Sequence, residues 1–156
     1  MTNVIDGDTF DVIVGYSGYD RVRLADIDAP EVGEPGYLEA KNLLFSLVYG
    51  NGVILDIDDI HITDTGGTRL VCVVYVLFNS THYLNVNKAL LVEEVAVIDD
   101  HDNEFNPYTW NLYVLKEEIP EFPFPITMLL FLFTTLSLNI YNKKKLHIKS
   151  FIQSSN

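Results

Sequence analysis

Between Val4 and Glu31 the chain reads VIDGDTFDV, a short glycine-bearing segment, then RVRLADIDAPE. No other stretch limits the fold so strongly. Residues 9–14 alternate as a strand, 15–18 hold two turn glycines, and 21–27 alternate again until Pro30, which cannot continue a ladder. Two strands joined in this way bring Asp8 beside Asp28, with Arg21 and Arg23 as the nearest cations. Phosphate-ester cleavage asks for this chemistry: hard oxygen ligands for a divalent cation, a carboxylate for water and a guanidinium for developing charge. A polar-faced hairpin with solvated acids satisfies the same pattern.

Further along, Leu43, Leu44, Leu47 and Val48 fall at helical spacing within 37–49, and Gly50-Asn51-Gly52 stops that helix. Residues 53–62 alternate, with Val53, Leu55 and Ile57 on one face. A turn at 64–68 leads to an apolar strand over 69–78, which makes a hairpin. Asn85 is placed to cap a short helix ending at Val92, and 111–114 adds an extended segment. The order β-β-α-β-β-α predicts a mainly β fold with α, an OB-type five-stranded Greek-key barrel. It occupies residues 1–98, with the first strand entered part-way, followed by an acidic, proline-containing extension over 99–123.

The strings IDGDT and RLADIDAPE together resemble the signature of the staphylococcal (micrococcal) nuclease family, the thermonucleases, over roughly residues 4–96. By that resemblance Asp8 and Asp28 are calcium-binding carboxylates and Ala29 supplies a backbone carbonyl. Glu31 is the general base or water-orienting group, and Arg23 holds the phosphate. The family's second arginine lies in D-x-[YF]-G-R-x-[LV]. Here Asp64-Thr65-Gly66-Gly67 leads to Thr68, so Arg69 arrives one position late. One position reverses the face of a strand unless the turn absorbs it, and Gly66-Gly67 suits such a bulge. Glu94 stands where the family has a glycine after its second helix.

All 22 acidic residues lie at or before Glu121, against six of the 10 basic ones. Such a surface repels polyanions, so a processive basic groove is not expected; it argues for metal-assisted contact with nucleic acid, or against nucleic acid altogether. Cys72 sits in the apolar run LVCVVYV and reads as core. Residues 124–141, FPITMLLFLFTTLSLNIY, carry no charge over a length that spans a bilayer as a transmembrane helix. The lysines within 142–156 predict a cytoplasmic tail, with the preceding domain extracytoplasmic at the cell surface. Ile119-Pro120-Glu121-Phe122-Pro123 before that run resembles an archaeal PEF-type C-terminal sorting signal.

Other motifs carry less. Asp64-Thr65-Gly66 matches an aspartic-protease triplet without its partner strings, and reads as a turn in which Asp64 bonds its own backbone. His61, His82 and His101 show no ligand spacing and read as surface or rim residues; the acids between 99 and 104 read as a solvated loop. Two functions follow. One is a membrane-tethered, calcium-dependent nuclease hydrolysing single-stranded DNA or RNA, with Arg23, Glu31 and Arg69 catalytic. The other is a nuclease-fold surface module, weakened or inactive, used for binding or attachment.

Overall fold

The computed structural model describes residues 3–16 and 18–118. They form a mainly β structure with two α-helices. In chain order the elements are β1 (Asn3–Val4), β2 (Thr9–Tyr16), β3 (Tyr19–Leu24), β4 (Ile27–Asp28), α1 (Tyr37–Val48), β5 (Val53–Ile57) and β6 (Leu70–Leu77). Then come β7 (His82–Asn85), α2 (Val86–Val92), β8 (Val97–Ile98) and β9 (Tyr113–Leu115), with short 3-10 turns at Pro107–Thr109 and Lys116–Glu118.

Seven strands form one sheet in the order β1-β2-β3-β6-β7-β9, with β5 also on β6. β6 is the hub. Its first residues pair in parallel with β3, its last residues pair antiparallel with β7, and β5 runs antiparallel along 72–76. β4 and β8 form a separate two-stranded ladder.

Alternation sorts the faces. Phe10 and Val22 lie opposite one another across β2 and β3 and are fully buried, as are Leu70, Cys72 and Val74 on β6. Val53, Leu55 and Ile57 pack against this core as their spacing requires, but β5 ends at Ile57 and Asp58 turns inward and is buried. α1 buries Ala40, Leu44 and Val48, four residues apart, and α2 buries Val86, Ala89 and Leu90.

Asn85 caps α2 by accepting from the Lys88 N–H at 3.0 Å. The helix ends in a Schellman motif: Val95 N–H donates to Leu90 C=O and Glu94 N–H to Leu91 C=O. Glu94 is left-handed there, at φ 57°, the conformation that glycine adopts at least cost.

Residues 99–118, expected within an extension beyond the domain, pack on the sheet. β9 pairs with β7, and Glu104 accepts from the Asp59 N–H at 2.8 Å. The free edge of β7 supplies the backbone partners that composition alone does not reveal. The anticipated transmembrane segment 124–141 and tail 142–156 lie outside the described residues. Among the described residues, no helix is long and apolar enough to cross a membrane.

Candidate active site

The turn before β2 is closed by Ile5 N–H donating to Thr9 C=O at 2.9 Å. A Cβ added at Gly7 would lie 2.5 Å from Ala29 Cβ and 2.6 Å from Ala40 Cβ, so only glycine lets this turn nest against β4 and α1. Asp8 is thereby buried. Its Oδ2 accepts from the Ala29 N–H at 2.9 Å and its Oδ1 from Thr9 Oγ1 at 3.0 Å. The two halves of the sequence signature are thus stitched together by one carboxylate.

Alternation along β3 sends Val22 and Leu24 inward and Arg23 outward. The Arg23 guanidinium lies between the two aspartates. Its Nη1 is 2.5 Å from Asp8 Oδ2 and its Nη2 is 3.2 Å from Asp28 Oδ1. The first approach is close but out of line for a hydrogen bond, which leaves Nη1 attracted yet without an aligned acceptor. Burial pushes the Asp8 carboxyl up to about 6, outweighing the opposing effects of Arg23 and the Ala29 N–H. Asp28 is half exposed and Ala29 is buried. Glu31 lies in the following turn, exposed to solvent, its N–H donating to Glu34 Oε2 at 2.9 Å.

Arg69 reaches the same face. The extra residue is absorbed in the turn, where Gly67 is left-handed at φ 66° and its N–H donates to Asp64 C=O at 2.7 Å. Asp64 Oδ1 accepts from both the Thr68 and Arg69 N–H groups at 3.0 Å, so Asp64 does bond its own backbone. Leu70 therefore lands in the core, and Arg69 lies on the outer face two residues before Val71, the partner of Arg23. Arg69 Nε donates to Asp64 Oδ2 at 2.9 Å and Nη1 to Thr9 Oγ1 at 3.5 Å. Burial pushes Asp64 up, but hydrogen bonds from Arg69 and Thr68 outweigh it and hold the carboxyl below its ordinary value.

Arg23 and Arg69 line one cleft of about 810 Å³, whose other walls include Asp26, Asp58, His61, His101 and Asn103. Asp28 and Ala29 line a separate hollow of about 230 Å³. Asp8 and Glu31 line neither. Asp26, one of the four carboxylates that the signature stretch offers with Asp8, Asp28 and Glu31 but the one to which the sequence attaches no role, is buried and left-handed at φ 53° in the turn between β3 and β4. Its Oδ1 accepts from the His101 N–H at 3.1 Å and from Asn103 Nδ2 at 2.5 Å, and its carbonyl accepts from the Asp99 N–H. The only hint in the sequence is an acid between two apolar residues where a strand is ending. Among the described residues, no three His, Cys, Asp or Glu side chains gather as a metal-binding cluster.

No family model matches the chain. It is similar to Protein ParB of Escherichia coli, with 40% identity over 70 residues. That match takes in 45% of this chain and 37% of the relative, so the chain spans well under half the length of the protein it resembles.

Proposed function

We propose that this domain is a calcium-dependent phosphodiester hydrolase of thermonuclease type, acting on single-stranded DNA or RNA from an OB-type five-stranded Greek-key barrel. The observation that carries the reading is Arg23 held between Asp8 and Asp28, with Arg69 on the same face. Two carboxylates and the Ala29 carbonyl are hard oxygen donors, which suits calcium with water completing its shell. When bound there, the cation would polarise the phosphodiester and offset the burial cost of the ionised Asp8.

The chain's own groups divide the remaining work. Arg23 and Arg69 hold the phosphate oxygens through planar donor pairs and stabilise charge as the attacking oxygen closes on phosphorus. Glu31, free in solvent, takes the proton of the attacking water. The uncharged stretch 124–141 and the lysines beyond it support a membrane-tethered placement with the domain extracytoplasmic.

A second reading, a nuclease-fold surface module with weakened or lost catalysis, is favoured by one observation. Both arginines are already engaged by carboxylates, Arg23 by Asp8 and Asp28 and Arg69 by Asp64. The test is cleavage of single-stranded DNA by the full chain with calcium and with chelator, beside a Glu31→Gln variant of unchanged circular dichroism. Calcium-dependent cleavage lost in the variant supports the hydrolase. A folded native protein that binds calcium and cuts nothing supports the surface module.

A further inference from the structure

The hydrolysis assigned above leaves one requirement unmet. Expulsion of a sugar alkoxide needs a proton, and neither arginine supplies one, because a guanidinium is not deprotonated in proteins. The cleft that holds both arginines also holds two imidazoles, His61 and His101. Only one of these is oriented among the described residues. His101 Nε2 lies 3.0 Å from Asp99 Oδ2, a carboxylate–imidazole pair of the kind that aims a proton-transferring histidine.

The backbone under that pair is fixed by a single residue. Asp26 takes the Asp99 N–H on its carbonyl and the His101 N–H on its Oδ1, both at 3.1 Å. β4 and β8 extend the same clasp, since Ile27 pairs with Ile98 and Asp28 with Val97. The loop bearing His101 is therefore tied to the strand bearing Asp28, 75 residues from the residue that anchors it. Asp26 is left-handed and buried; its carbonyl continues the β4–β8 ladder and its Oδ1 goes to the loop bearing His101.

We infer that His101 is the general acid of the reaction, oriented by Asp99 and positioned by Asp26. The inference rests on the hydrolase reading. Water oxygen attacks phosphorus as Glu31 accepts its proton, and the bond from phosphorus to the leaving sugar oxygen breaks. The bonding pair stays on that oxygen, which takes the proton from Nδ1 of His101, the ring nitrogen not paired with Asp99. Solvent then returns a proton to the imidazole. Arg23 and His101 line the same cleft, which gives the departing oxygen of a phosphate held at Arg23 a route to the imidazole.

His101 is 67% exposed at its side chain, and its contact to Asp26 is through the backbone, so His101→Gln leaves the fold intact. The experiment compares native protein, His101→Gln and Asp99→Asn on two kinds of diester. One is single-stranded DNA, and the other is the pair of p-nitrophenyl esters of thymidine 5′- and 3′-phosphate, whose leaving group departs without a proton. The expected result is a fall of about 10²–10⁴-fold in kcat on DNA for His101→Gln, with the nitrophenyl esters cleaved at the native rate. Asp99→Asn lowers kcat on DNA by less, leaves KM unchanged, and spares the nitrophenyl esters. DNA cleavage by His101→Gln at the native rate, or an equal loss on both substrates, overturns the inference while leaving the hydrolase reading in place. A native protein that cleaves neither overturns both.

Discussion

Arg69 Nη1 lies 3.5 Å from Thr9 Oγ1, although 60 residues separate the two, and Thr9 in turn donates to Asp8 Oδ1. The displaced arginine thus meets the first carboxylate of the site through one hydroxyl. Arg69→Ala should lower phosphodiester cleavage by about 10²–10³-fold, the typical loss of one charge-stabilising donor. Stability should change little, since the side chain is one-third exposed and Asp64 keeps two backbone donors. Thr9→Val preserves shape but removes the link, and should weaken cleavage in the same direction. Cleavage rates beside thermal melts check both.

Glu94 marks a place where the chain keeps the geometry of its turn without the usual residue. Left-handed backbone costs an L side chain roughly 1–2 kcal/mol relative to glycine. Part of that is offset because glycine loses more entropy on folding. Glu94→Gly should therefore raise unfolding stability by about 0.5–1 kcal/mol, read from the urea midpoint at unchanged slope. A decrease would mean that the Glu94 side chain makes a contact outweighing its strain.

The fold was legible wherever local rules act alone. Alternation along β3 fixed Val22 and Leu24 as inward-facing, Pro30 ended a strand, and the side chain of Asn85 announced a helix start. Placing Asp8, Arg23 and Asp28 together followed from two strings and a short turn. What the sequence hid depends on distant partners. The landing of Leu70 in the core needed the left-handed Gly67, and the role of Asp26 needed a loop 75 residues away. Asp99 and Glu104 read as solvated because no local pattern pairs them with His101 and the Asp59 N–H. The paired β9 was hidden too, since three residues with little alternation acquire strand character only from the edge of β7.

Asn87 is the most demanding polar residue in the core. It is fully buried; its Oδ1 accepts from the Val74 N–H at 3.0 Å, and its Nδ2 donates to the carbonyls of Ala25 and Cys72 at 3.0 and 3.2 Å. This side chain joins α2 to β6 just where β3 leaves the sheet. Replacing it with Ala orphans the Val74 N–H and the Ala25 C=O, each costing about 1–3 kcal/mol when buried, while the Cys72 C=O keeps the Ala25 N–H. Asn87→Ala should lose about 3 kcal/mol or more, and Asn87→Asp should fare no better because two donors become acceptors. Chemical denaturation of both variants checks the size of the loss.

The Asp8 carboxyl gives the protein a pH response with a definite sign. Burial lifts it from an ordinary value of 3.8 to about 6 in the folded state. Between those values the native protein binds more protons at this site than the unfolded chain, so stability falls as pH rises. The contribution is intact below 3.8, declines through the interval, and is lost above 6. With chelator present, the native melting temperature should drop more between pH 4 and pH 7 than that of Asp8→Asn, which cannot ionise there. Burial also raises Asp26 and Asp56, and their shared effect cancels in this comparison. Calcium at the proposed site favours the ionised form and should reverse the trend, raising the native melting temperature at pH 7 but not at pH 4. A native and variant pair that melt in parallel across this range would show that Arg23 already compensates the buried charge.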